Sequence, residues 1–367
     1  MNILQIRSEL RDNGPGTQPI TLSVELRSRG HVVTFASSGG VLVEKVKDLG
    51  FDFEHVPELA VAKRLPHHVF RAVSRLARIM RVRSIDVVHA HNAACTAIAS
   101  MAACLVRQNV RVVQSVRGLE QRESHQHRNL IYRVLPARFL AVSEYTAREL
   151  IRIGVAESRV SVSYNGVDLS RFFVDEAKRS EARRLFDLGN EFVVGHVGAF
   201  SGWKGQEMIV RLVSNLRGEG VNLVAVLVGD GPTFEATRDL ASELGILDKV
   251  HFTGFQSDTS LFYHAFDLYA QPSIKGEMLP NSIIEGMATG LPWVGSDISG
   301  LSELSDDGRA GLVFNAGNLE AMSKIVLSLV ENTDLRRKMG HRASEFAKSK
   351  FSVQRVVNRV ENAYSTH

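Results

Sequence analysis

Two glutamates, Glu277 and Glu285, stand eight positions apart in Gln271-Pro272-Ser273-Ile274-Lys275-Gly276-Glu277-Met278-Leu279-Pro280-Asn281-Ser282-Ile283-Ile284-Glu285-Gly286. A strand ending at Ser273 passes into a loop that carries Glu277. A helix beginning near Asn281 then holds Glu285, so both carboxylates can look into one crevice. Carboxylates accept paired hydroxyls well, as on a sugar or a ribose, and the amides that open a helix attract phosphate. The plain alternative is one exposed loop glutamate and one helix glutamate without a common task. Pro272, Pro280, Gly286 and Gly290-Leu291-Pro292 frame the stretch and favour a fixed geometry.

Three further loops carry candidate groups. In Val197-Gly198-Ala199-Phe200-Ser201-Gly202-Trp203-Lys204-Gly205 a strand ends in glycines and a lysine precedes the next helix. An ammonium there can meet a phosphate at the helix start, although a solvated lysine explains it as simply. Arg7 to Thr17 follows a strand and opens a helix, with Gly14 and Gly16 permitting close backbone approach. Its spacing is neither the dinucleotide fingerprint nor a phosphate-binding P-loop, so a plain turn is an equal reading. Asp86-Val87-Val88-His89-Ala90-His91-Asn92 ends a buried strand in two histidines. His89 reads as a satisfied core residue, whereas His91, at the carboxyl end, stands open between core and catalytic roles.

The elements that position these loops alternate. Strands are expected at Asn2–Ile6, Val32–Ala36, Asp86–Ala90, Val110–Val116, Phe139–Ser143 and Val160–Tyr164. Several are apolar almost without alternation, as in strands covered on both faces. Helical stretches such as Thr17–Arg29 separate them, with Pro19 placed in its first turn and Gly30 after its last. The pattern pauses over 166–190. It resumes at Phe192–Gly198, Asn222–Gly229, Lys249–Gly254, Asp267–Ser273, Pro292–Asp297 and Gly311–Phe314. The expected fold is α/β, with two doubly wound parallel-sheet domains, 1–170 and 171–350, facing a cleft. The valine-striped helix in 351–367 is expected to pack back on the first domain.

Composition narrows the classes. The chain has 367 residues, 44% of them hydrophobic and 23% charged, enough for two cores and unlike a disordered chain. No apolar run reaches the roughly 20 residues of a membrane span. Neither a secretory leader nor a disulfide is expected: Cys95 and Cys104 fall nine residues apart in one helix and cannot bridge. A cytoplasmic setting follows. Residues 1–170 carry net +8 and the remainder net −4, so the first half is the better face for an anionic partner. An NAD-dependent oxidoreductase shares the architecture, but the missing dinucleotide fingerprint speaks against it.

The stretch from Gln271 to Leu304, with Glu-x7-Glu at Glu277 and Glu285, resembles the donor-site signature of retaining glycosyltransferases of family 4, which have the GT-B fold. Val228-Gly229-Asp230-Gly231-Pro232, Asn165-Gly166-Val167-Asp168 and Gly198 to Gly205 extend the likeness over nearly the whole chain. The resemblance implies a nucleotide-sugar held mainly by the second domain. Lys204 would contact the diphosphate, Glu277 the donor sugar and Glu285 the ribose hydroxyls. Backbone at Gly16, Gly198, Leu279 and Asn281 would complete the cradle, and the base would lie by Gly254 and Phe255. Catalytic candidates are Glu277, Lys204 and His91; Asn13 and Arg117 are acceptor-side candidates. UDP is the expected nucleotide, and the acceptor a glycan or a lipid-linked molecule of polysaccharide or lipopolysaccharide synthesis. No metal or other cofactor is expected, since no Asp-x-Asp occurs. A non-catalytic sugar-nucleotide binder is the alternative. Two positions depart from the family pattern. Ala199 replaces a frequent arginine, and Arg117 replaces a frequent histidine and can serve the donor or an acidic acceptor.

One basic segment remains. Lys63 to Arg83 holds seven Lys/Arg and no acid, with Phe70, Val73, Leu76, Ala77 and Met80 at helical spacing beside Arg71, Arg75 and Arg78. It reads either as a peripheral contact with an anionic membrane or as a domain helix with solvated arginines.

Overall fold

The computed structural model describes residues 1–11, 14–60, 65–106, 108–119 and 129–365. They form two compact units: unit 1 spans Met1–Gly166 and takes up the chain again from Val353, and unit 2 spans Val167–Ser352. The change of unit thus falls at Gly166/Val167, not at 170/171.

Unit 1 is built on seven parallel strands, β1 (Asn2–Ile6), β2 (Val32–Ser37), β3 (Asp52–His55), β4 (Val87–Ala90), β5 (Arg111–Val116), β6 (Arg138–Ala141) and β7 (Val160–Val162), in the order β3-β2-β1-β4-β5-β6-β7. Leu4, Ile6, Val88, Val112 and Phe139 pack on one face against the helices Pro66–Val82 and Ala93–Cys104. Ile3, Phe35, Val87, Val113 and Leu140 pack on the other, where the closing helix, Val353–Ser365, contributes Val356, Val357, Val360 and Tyr364. Both faces being covered explains the near-continuous apolar strands. Register pairs Gln5 with His89 and Ile6 with Ala90, so Arg7 and His91 emerge at neighbouring strand ends.

Unit 2 repeats the design with β8 (Phe192–Val197), β9 (Leu223–Val228), β10 (Val250–Phe252), β11 (Leu268–Gln271), β12 (Trp293–Ser296) and β13 (Gly311–Phe314), all parallel, in the order β10-β9-β8-β11-β12-β13. The order reverses between β8 and β11. The crevice beyond their carboxyl ends is where such sheets receive ligands.

Three expectations change. Strand β3, Asp-Phe-Glu-His, was not anticipated, because an edge strand needs little apolar surface and this one has little. The first helix starts at Gly14, which places Pro19 inside it and not in its first turn. In the basic helix Pro66–Val82 the residues Val73, Leu76, Ala77 and Met80 are buried in the unit 1 core. That stripe is therefore not available to a membrane, although Phe70 is 70% exposed. Lys63 and Arg64 lie outside the described residues. Among the described residues, no helix is long and apolar enough to cross a membrane.

Candidate active site

In unit 2 the loop after β8 is tied down on every side. Its Gly198 amide donates to Val228 O, and Phe200 N donates to Asp230 O. Gln206 Nε2 donates to Ala199 O at 3.0 Å. Gly205, at φ +77°, ends the loop and caps the helix Gln206–Gly218. A Cβ there would also lie 2.2 Å from Pro272 O, so only glycine lets the loop come this close to the segment that carries Glu277. The result places Lys204 against Glu277 as an ion pair. The Lys204 ammonium also lies 4.7 Å from the centroid of the Trp203 ring.

Glu277 is 5% exposed and held by more than the lysine. Gln271 Nε2 and Ser273 Oγ each donate to its Oε1 at 3.1 Å, and Lys204 Nζ donates to the same oxygen. Gln271 is oriented in turn by Tyr269, whose hydroxyl donates to Gln271 Oε1 at 2.8 Å. Three donors therefore fix one carboxylate oxygen. Sequence reading missed Gln271 and Ser273 as functional. Their signal was positional, since polar residues at the end of a buried strand require partners.

Glu285 sits in the helix Asn281–Ala288, where Tyr263 donates its hydroxyl to Oε2 at 2.8 Å. Burial raises the carboxyl group's pKa above its ordinary value, while the Tyr263 hydrogen bond and the Arg171 charge draw it back. Tyr263, which holds Glu285, lies ring to ring at 6.0 Å with Tyr269, which holds the Gln271 that donates to Glu277, so one run of side chains links the two carboxylates. The structure thus brings Lys204, Glu277 and Glu285 to the carboxyl ends of β8 and β11. Leu279 is buried just before the helix that Asn281 opens. Gly254, at φ +69°, bridges to Gly229, and Phe255 beside it is 61% exposed.

In unit 1, His89 is buried, with Nδ1 2.6 Å from the Tyr364 hydroxyl and Nε2 2.8 Å from Ser115 Oγ. Burial holds it down at about 3, so it is a neutral, satisfied core histidine. His91 Nε2 lies 2.7 Å from Gln5 Oε1. Burial and the neighbouring basic groups lower its pKa well below the ordinary range, leaving it uncharged near neutrality. Gly16 is buried in the first turn of the helix Gly14–Ser28. Arg117 lies directly after β5, and Asn13 falls outside the described residues.

Two family profiles cover the chain in succession. One described as Glycosyltransferase Family 4 matches residues 13–171, and one described as Glycosyl transferases group 1 matches residues 178–346. The chain is a family 4-type glycosyltransferase. It is an enzyme that transfers sugars, which sets aside the oxidoreductase and non-catalytic readings. It is 25% identical over 360 residues to the N-acetyl-alpha-D-glucosaminyl L-malate synthase of Bacillus anthracis, covering 96% of this chain and 93% of that one. It is 30% identical over 166 residues to the lipopolysaccharide core biosynthesis glycosyltransferase LpsE of Rhizobium meliloti, covering 45% of this chain and 47% of that one. The fold matches a glycosyltransferase from Rickettsia africae with a TM-score of 0.87 at 20% identity, over 99% of this chain and 97% of the other. It also matches Anabaena HepE, solved with UDP and glucose, with a TM-score of 0.86 at 21% identity and full coverage of both chains. The fold is GT-B.

Proposed function

We propose that this glycosyltransferase moves a sugar from a UDP-sugar to an acceptor of cell-envelope or polysaccharide synthesis, with retention at the anomeric carbon and without a metal. The observation that carries the reading is the single-oxygen hold on Glu277 beside Lys204. Lys204 would leave Glu277 for the diphosphate when the donor arrives. Gln271 and Ser273 would keep Glu277 in place meanwhile, with Oε2 on a donor-sugar hydroxyl. Glu285 would hold the ribose, Phe255 would cover the base, and amides near Gly198, Leu279 and Asn281 would meet phosphate and sugar oxygens. Lys204 and the helix starts would stabilise the departing diphosphate, which takes the acceptor proton on the same face of the sugar. UDP draws support from HepE, and envelope synthesis from LpsE. The test is hydrolysis and transfer with UDP-, GDP- and ADP-sugars, with and without EDTA. A UDP-sugar should be consumed, EDTA should leave the rate unchanged, and NMR should show the donor's anomeric configuration in the product. Preference for another base, loss of rate in EDTA, or inversion would each sink the corresponding clause.

The ribose assignment predicts a pH dependence. Ionised Glu285 accepts hydroxyls best, and its pKa stands above the usual carboxylate range. Uridine affinity should therefore fall as pH drops through that raised value. Tyr263→Phe removes a hydrogen bond that favours the carboxylate, so it should move the midpoint to higher pH. Glu285→Gln should abolish the dependence. Calorimetric titration of uridine from pH 4 to 8 checks this, and a flat wild-type profile would remove Glu285 from the site.

A peripheral membrane contact belongs to the same proposal. Arg71 and Arg78 are exposed and make no ion pair or hydrogen bond among the described residues; Phe70 and Leu65, 70% and 58% exposed, stand on the same helix or beside it. Arg75 is partly engaged, donating to His55 O at 3.0 Å and lying 3.8 Å from Glu58. Each basic residue near an anionic surface contributes about 1 kcal/mol, lost as salt rises. Vesicles containing anionic lipid should bind the chain at low salt. Arg71→Glu, Arg75→Glu and Arg78→Glu together should release it without loss of UDP binding. A wild-type chain that ignores such vesicles at low salt leaves these arginines merely solvated.

A further inference from the structure

We infer that unit 1 carries an oxyanion site at the carboxyl end of its sheet, in which Arg117 binds a carboxylate or phosphate group of a substrate. The inference rests on the transferase reading for its biological sense, but its geometry stands alone. Arg7, His91 and Arg117 each follow directly on the last residue of a strand, β1, β4 and β5, and these three strands are neighbours. The order of the sheet reverses between β1 and β4, so these residues stand at the switch point where open α/β sheets take ligands.

Among the described residues, Arg117 has no carboxylate as an ion-pair partner. Its Nη1 donates to Asn165 Oδ1, a neutral amide, and its buried Nε has no hydrogen-bond acceptor among the described residues. A cavity of about 20 Å³ borders it, lined on its polar side by Gln18, Ser115, Ser163 and Tyr164 and by no carboxylate. That space holds one water and is too small for phosphate, so the oxyanion would meet the half-buried Arg117 from its solvent side. Burial and the nearby Arg7 charge pull the guanidinium pKa down to about 9, a sign of how poorly its charge is compensated. His91 adds no negative charge, since it is neutral there. A half-buried guanidinium whose buried Nε lies idle costs free energy unless a charged acceptor meets it, and planar oxyanions are its best partners.

The anion has two possible sources, the donor's diphosphate and an acidic group on the acceptor. Inorganic phosphate is the probe, followed by ³¹P NMR line broadening on the full chain. In a Lys204→Ala background, which disables the proposed diphosphate lysine of unit 2, phosphate should still bind. Adding Arg117→Gln should weaken that binding about tenfold or more, and Arg117→Lys should restore part of it. The source is read in the otherwise unaltered chain. UDP affinity that falls about tenfold with Arg117→Gln assigns the site to the donor. Unchanged UDP affinity, with phosphate still binding at saturating UDP, assigns it to the acceptor. Phosphate that fails to bind the Lys204→Ala chain, or that binds equally well after Arg117→Gln and Arg117→Lys with melting temperatures preserved, overturns the inference. The titration needs no turnover. Failure of sugar transfer would therefore sink the donor reading and leave the phosphate result standing.

Discussion

Glu277→Gln should lower turnover by about two to three orders of magnitude while the chain still folds and binds UDP. The substitution keeps the shape of the side chain but exchanges a carboxylate for an amide at the one acidic group that meets Lys204, Gln271 and Ser273 together. An amide oxygen can accept from those donors, but it lacks the charge that stabilises a developing positive centre on the sugar. Losses of this size are typical when one preorganised electrostatic contact is removed. Glu277→Ala should be as inactive and also less stable, because truncation leaves three donors around Oε1 without their acceptor at about 1–3 kcal/mol for each buried group. Initial rates and thermal melts on both variants check the two effects separately. Wild-type turnover in Glu277→Gln would remove this residue from the chemistry.

Lys204→Ala should weaken UDP by about 30- to 150-fold and leave uridine binding almost unchanged. A charge-assisted contact to phosphate contributes about 2–3 kcal/mol, and uridine has no phosphate to lose it. The same variant should lose most of its turnover, since the lysine is the positive side chain set beside Glu277. Glu277 itself should stay in place, because Gln271 and Ser273 hold its Oε1 independently of the lysine. Calorimetry with UDP and uridine decides the matter. Equal losses for both ligands would mean that the substitution disturbs the loop and not a phosphate contact.

Much of this architecture was legible in the residues, for a physical reason. Strands covered on both faces announce themselves as apolar runs, as in β9, Leu223–Val228, whose six residues are all buried. Strand β3 gives no such sign, because this edge strand carries Asp52 and Glu54, both bonded to Arg83, and its composition resembles a loop. The basic helix misled in another way. Periodicity reports that a helix has an apolar face, but not whether that face meets the core or a membrane, and here Leu76 and Met80 meet the core. At the site, Glu277, Glu285 and Lys204 were visible because charged residues in framed loops stand out. Gln271, Ser273 and Tyr263 were not, because a polar residue on a strand or helix shows its purpose only when its partner is known. That partner lies 6 residues away for Gln271 and 22 for Tyr263.

The return of the chain to unit 1 at Val353 bears on how the molecule is made. Unit 2 is continuous in sequence, so all its strands are available once Ser352 has been synthesised. Unit 1 begins 352 residues before its last helix, and Val113 and Leu140, on the strands that this helix packs against, are not fully covered until Val357 and Tyr364 arrive. On the ribosome the first-made sheet therefore waits, with one apolar face uncovered, while the second unit is translated. Domains fold as units during synthesis, and exposed apolar surface invites aggregation during such a wait. The aggregation risk of unit 1 is thus set by the helix Val353–Ser365, whose valines and one tyrosine end the exposure of residues far earlier in the chain.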